Sequence, residues 1–120
     1  MNASEIITNQ AAKTGHDPAA VLTAIKNYVE QGDSVLLKEQ DTVFLVTRIG
    51  GNAVEVVMFT ADGAMNLPNV VMTALKKIKA SGAQIIYGDA EDAMLLDVLQ
   101  QIGAPVQPEN SQGHDWSVRI

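Results

Sequence analysis

The stretch AVEVVMFTADGAMNLPNVVMTALKKIKASGAQIIYG, residues 53–88, decides the fold. From Ala53 to Thr60, Val54, Val56 and Met58 alternate with Glu55, Val57 and Phe59. That is the two-residue period of a strand, apolar enough on both sides to be covered on both. Val70, Val71, Ala74, Leu75 and Ile78 then recur at helical spacing, with Lys76, Lys77 and Lys79 mostly turned away. Gly82 stops that helix, and Gln84 to Tyr87 reads as a short apolar strand. A strand, a helix and a strand in one sheet make a right-handed crossover, so the two strands are expected as parallel neighbours. The loop between the first of them and the helix, Thr60 to Asn69, is where a phosphorylated cofactor would be cradled by backbone N–H groups.

Upstream, Ser34 to Lys38 and Thr42 to Ile49 are rich in β-branched residues and are separated by the turn Glu39-Gln40-Asp41. Gly50-Gly51-Asn52 supplies a second tight turn, since Gly and Asn tolerate positive φ. Short turns force antiparallel neighbours, so three strands form a meander ahead of the crossover. Two helices precede it. Ser4 is read as the cap of the first, which ends at Gly15; Asp17-Pro18 opens the second, with Val21, Ile25, Tyr28 and Val29 as its stripe. Downstream, Asp89 is read as the cap of a last helix carrying Ala93, Leu95, Leu96, Leu99 and Ile102. Trp116 to Ile120 is expected to return as a final edge strand. The reading is one mixed α/β domain over residues 1–120.

The 120 residues are 47% hydrophobic and 18% charged, which suits a packed core rather than disorder. A net charge of -6 argues against nucleic acid and anionic membranes as partners. The chain has no cysteine, so thiolate chemistry is excluded. Met1 to Glu5 carries no basic or apolar leader, and no apolar run approaches the ~20 residues that span a bilayer. The expected setting is the cytoplasm or a virion.

The element order, two helices, a meander, a helix, a parallel strand, a helix and a terminal hairpin, is similar to the GNAT-type N-acetyltransferase fold. The passage Leu95-Leu96-Asp97-Val98-Leu99-Gln100-Gln101-Ile102-Gly103-Ala104 resembles the family's last-helix ending, and the spacing of Gly63 and Gly82 suits its cofactor loop and helix. The resemblance implies acetyl-coenzyme A held by Gly63, Ala64 and Asn69. It further implies Glu55 as general base and Tyr87 as acid. The loop departs from the family: Thr60 opens it, Met65 and Leu67 replace small residues, Pro68 removes a donor and Asp62 adds a negative charge. Leu99 stands where many members carry a proton-donating Tyr. These departures lead to the expectation of a GNAT-like domain that has lost catalysis. It would need no cofactor and would serve as a structural or protein-interaction module. A protein partner or homo-oligomer would be its context, such as the virion of a bacteriophage. The enzyme reading leans to no. The alternatives are a divergent coenzyme A-dependent N-acyltransferase and a small-molecule sensor.

The remaining chemistry-bearing residues take plainer readings. His16 and His114 have carboxylates only as immediate neighbours, Asp17 and Asp115, and adjacent side chains rarely meet one ligand, so both are read as loop residues. Glu55 is either a base raised by burial or a solvent-facing residue of an alternating strand. Tyr87 is either an acid or an amphipathic residue at a strand end. Lys76, Lys77 and Lys79 read as a solvated face, and Asp89, Glu91 and Asp92 as helix N-terminal charge rather than a metal site. No metal motif is present in the sequence.

Overall fold

The computed structural model describes residues 1–109 and 113–120. Ten elements follow in order: α1 (Ala3–Lys13), α2 (Pro18–Glu30), β1 (Ser34–Glu39), β2 (Thr42–Gly50), β3 (Ala53–Thr60), α3 (Leu67–Ala80), β4 (Ile85–Gly88), α4 (Ala93–Gln101), β5 (Val106–Pro108) and β6 (Trp116–Arg119). The strands form one mixed sheet in the order β1-β2-β3-β4-β6-β5. Among the described residues only β3 and β4 run parallel; the other neighbours are antiparallel. Mixed α/β architecture with helices on both sheet faces follows from the two periodicities of the sequence.

The alternation along β3 sorts the core. Val54, Val56 and Met58 face α3 and α4, where they meet Val70, Val71, Ala74, Ile78, Leu95, Val98 and Leu99. Val57 and Phe59 face the other way, toward Ile6, Ile7 and Ile25 of α1 and α2. Each such fully buried aliphatic or aromatic side chain contributes roughly 1.5–3 kcal/mol relative to exposure. The stripe of α2 is shallower than its sequence suggests. Ile25 is buried, while Tyr28 and Val29 stay exposed at 50% and 38%.

Three element ends differ from the sequence reading. Asn2, not Ser4, caps α1, and it does so in a capping box: its side chain accepts from Glu5 N–H and the Glu5 carboxylate accepts from Asn2 N–H. Asp92, not Asp89, stands at the N-cap of α4. The helix α3 begins at Leu67, so Asn69 lies inside its first turn and Pro68 sits where a missing N–H costs little. The tail differs most. β6 is not an edge strand: it inserts between β4 and the three-residue edge β5, in cis. Its Trp116 and Val118 complete the core on the α3–α4 face.

Candidate active site

The pairing of β3 with β4 is short, running only from Ala53↔Ile85 to Glu55↔Tyr87. Beyond that register β3 continues to Thr60 while β4 ends at Gly88. The strands part, and among the described residues no strand covers this further stretch of the β3 edge. A cavity of about 400 Å³ opens there, between Met58 and Thr60 of β3, the loop residues Ala61–Ala64, and Glu91–Met94 at the start of α4. A second, about 480 Å³, lies beside it toward Thr14, His16 and Asp89.

The loop expected to hold a cofactor borders the first cavity. Gly63, at φ +68°, makes a turn that a side chain would strain, and Ala64 N–H closes it onto Ala61 C=O at 3.2 Å. Gly63 and Ala64 line the cavity; Asn69, one turn into α3, does not. Asn66 adopts a left-handed conformation at the N-cap of α3 without a side-chain cap bond. The first-turn amides there therefore lack that internal acceptor, the condition under which a helix start receives an anion. The charge on Asp62 is met by Lys13 of α1, which pairs with it across the cavity rim. Small residues, an uncapped helix start and a strand edge met only by side chains are compatible with a phosphorylated, amide-bearing ligand.

Next to the parting point a polar row crosses the whole sheet. Registers align Ser34, Thr47, Glu55, Tyr87, Ser117 and Gln107, one residue from each strand, on a single face. The Ser34 and Thr47 hydroxyls bond at 2.7 Å. Glu55 and Tyr87, the two residues named for chemistry, are thus lateral neighbours. Their companion is His114, from the segment entering β6. Its Nε2 is 3.5 Å from Glu55 Oε2, its Nδ1 is 3.1 Å from Asp89 Oδ1, and its ring lies 5.5 Å from that of Tyr87. The His114 side chain is only 9% exposed. Desolvation pushes the Glu55 carboxyl up, Asp89 adds to the shift, and the His114 charge opposes it.

Sequence reasoning set His114 aside because its neighbour Asp115 could not share a ligand with it. The structure supplies other partners, Glu55 within β3 and Asp89 just past the end of β4. Asp115 points elsewhere: its carboxylate accepts from Ala90 N–H at 2.7 Å, and its own N–H donates to Gly88 C=O at 3.0 Å. Trp116 Nε1–H donates to Asp89 C=O at 3.2 Å. These bonds fix the loop that presents Asp89 to His114. Among the described residues, Glu55, Asp89 and His114 also bring three potential metal-ligating atoms within 4.8 Å of one another. The two carboxylates address different ring nitrogens: Asp89 hydrogen-bonds to Nδ1, and Glu55 lies at ion-pair distance from Nε2. His16 has no part in this cluster and bonds to the Thr14 hydroxyl at 2.8 Å.

No protein-family model matches the sequence, and no curated protein matches it significantly. Solved structures do. The Campylobacter jejuni N-acetyltransferase PseH, solved with acetyl coenzyme A, matches with a TM-score of 0.62 at 13% identity over 100% of this chain and 92% of its own. The Salmonella typhimurium yncA, a putative acetyltransferase solved with acetyl-CoA, matches with a TM-score of 0.56 at 10% identity over 98% and 84%. A Bacillus subtilis acetyltransferase in complex with CoA matches with a TM-score of 0.52 at 19% identity over 81% and 80%. The fold is GNAT-type. These neighbours overturn two expectations from the sequence, a non-catalytic structural module and the absence of any cofactor. All three were solved with coenzyme A or its acetyl ester, and two of them are named as acetyltransferases without qualification. The physical reason for the misreading lies in the loop. Its departures taken together argue against a cofactor in the sequence, whereas the parting of β3 from β4 and the Lys13–Asp62 pair exist only in the folded chain.

Proposed function

We propose that this protein is a divergent coenzyme A-dependent N-acyltransferase. The observation that carries the reading is the parting of β3 from β4 directly beyond Glu55 and Tyr87, with a cavity opening on the freed edge. The likeness to acetyltransferases solved with acetyl coenzyme A supports it. Gly63 and Ala64, with the first-turn amides of α3, would hold the phosphates, and the β3 edge at Met58 and Thr60 would meet the amide-bearing arm. When bound, acetyl-coenzyme A supplies an acyl group already activated as a thioester.

The chain's own residues then divide the proton work. Glu55, raised by desolvation, is basic enough to take a proton from an amine, directly or through one water. His114 orients that carboxylate and is itself held by Asp89. Tyr87, in register beside Glu55, holds a phenolic proton for the leaving group. The His114 side chain, its ring 5.5 Å from that of Tyr87, is largely out of water, which strengthens its interactions with the two carboxylates. The amine arrives as the acceptor. Its identity is open to a panel of primary amines.

The test is titration with acetyl-coenzyme A, read by melting temperature and by acetylation of that panel. Native-state binding at 100 times Kd stabilises by about 2.7 kcal/mol, a readily measured shift. Glu55→Gln is expected to lower kcat ~100-fold or more while KM for acetyl-coenzyme A changes little. Binding without turnover of any amine would instead favour a sensor, and no binding would sink the reading. Among the described residues no helix is long and apolar enough to cross a membrane.

A further inference from the structure

The uncovered edge of β3 is not bare. Met58 N–H donates to Asp92 Oδ2 at 2.9 Å, Thr60 N–H donates to Gln10 Oε1 at 2.6 Å, and Met58 C=O accepts from Gln10 Nε2 at 3.2 Å. The three groups point into the gap between β3 and α4, and a ligand arm with amide groups would use the same three. Gln10 presents its carbonyl and amino group from α1 as a strand would, one acceptor and one donor at the spacing of the ladder. Asp92 supplies the next acceptor from the start of α4. Both residues line the first cavity and the second.

We infer that Asp92 and Gln10 are intramolecular occupants of the ligand-binding edge, so that an amide-bearing cofactor arm enters only as Asp92 leaves Met58 N–H. The inference rests on the acyltransferase reading and adds a gate to it. The two occupants are not equivalent. Gln10 is neutral and could rotate to accommodate a ligand, whereas Asp92 brings a charge into a largely enclosed place. Burial pushes its carboxyl up to about 6, with Asp89 adding to the shift and the Met58 N–H bond opposing it. Protonation removes the charge that makes the Met58 bond strong, so the gate loosens as pH falls through 6. The other charged groups around Asp92 are Asp89 beyond β4, Glu91 beside it, Lys13 of α1 with Asp62 of the loop, and His16 before α2. Lys13 and Asp62 neutralise each other.

Asp92→Asn keeps the shape and an acceptor but loses the charge, and a charge-assisted bond is about twice as strong as a neutral one. Coenzyme A titrated calorimetrically into both proteins from pH 5 to 8 gives a ratio of dissociation constants in which the ligand's own titration cancels. At pH 7.5 the Asn variant is expected to bind ~5–10-fold more tightly, from a difference of about 1 kcal/mol in the displaced bond, with the ratio approaching one near pH 5. Independently of any ligand, the Met58 amide resonance of the wild type is expected to titrate near pH 6 and to stay fixed in Asp92→Asn. Gln10→Ala, expected to tighten binding without adding a pH dependence, guards against an effect peculiar to position 92. Equal constants for the wild type and Asp92→Asn at every pH would overturn the gate and leave the acyltransferase reading standing. Binding by none of the three would overturn both.

Discussion

Glu55 sits under opposed influences, and each can be removed separately. Desolvation and Asp89 raise its carboxyl, while the charge of His114 lowers it. His114→Gln is therefore expected to let the Glu55 pKa climb further, moving the acidic limb of kcat/KM to higher pH in a pH–rate profile. A limb that stays in place would show that another group is the base. Asp92 yields a stability prediction. Its folded value of about 6 lies above the ordinary 3.8, so the folded state binds the proton more tightly than the unfolded chain. The ionised carboxylate is then a cost present above pH 6 and relieved as pH falls through 6 toward 4. Asp92→Asn is expected to be more stable than wild type at pH 7.5 by on the order of 1–2 kcal/mol, allowing for solvent, with the gain vanishing near pH 4. Urea unfolding at the two pH values measures it. Glu55 and Tyr87 could be named from the sequence because each is a polar group standing out on a short, apolar strand. His114 could not, since its partners Glu55 and Asp89 stand 59 and 25 positions away.

Strand β4 and the β6 strand beside it depend on a close approach that only glycine permits. A Cβ placed on Gly88 would lie 2.0 Å from Trp116 Cζ2, and the indole is held by its Nε1–H bond to Asp89 C=O. Gly88→Ala is expected to destabilise by about 1–3 kcal/mol through overpacking, seen as a lowered melting temperature. Because that indole bond also steadies the Asp89 loop, the same variant should weaken the Asp89–His114 contact. The meander, the crossover helix and the parallel strand were all legible, since alternation in Ala53–Thr60 and the stripe from Val70 to Ile78 are long enough to carry a period. β5 was not, because its three residues, Val106–Pro108, are too few to show one and end in a proline. The caps at Asn2 and Asp92 were missed for a related reason: several Asn, Ser and Asp residues near each helix start can serve, and packing selects among them.

Across the whole molecule, the sheet divides two apolar layers, and the last strand in sequence sits inside it rather than at its edge. Truncation after Gly103 would remove Trp116 and Val118 from the core and expose the second edge of β4. Such a chain is expected to lose cooperative unfolding in denaturant, whereas a tail that merely decorated an edge would leave the transition sharp. What the sequence determined by itself was the order of elements, because local periods of two and 3.6 residues follow from backbone geometry and from which side chains must leave water. That order sufficed for the GNAT-type architecture and for the chain position of the stretch 60–69 that borders the cavity. The tertiary structure decided the site: where β3 leaves β4, that Lys13 neutralises Asp62, that His114 joins Glu55, and that Gln10 and Asp92 cover the free edge. Those facts depend on contacts between residues distant in the chain, and their geometry is fixed only when the two apolar layers close around the sheet.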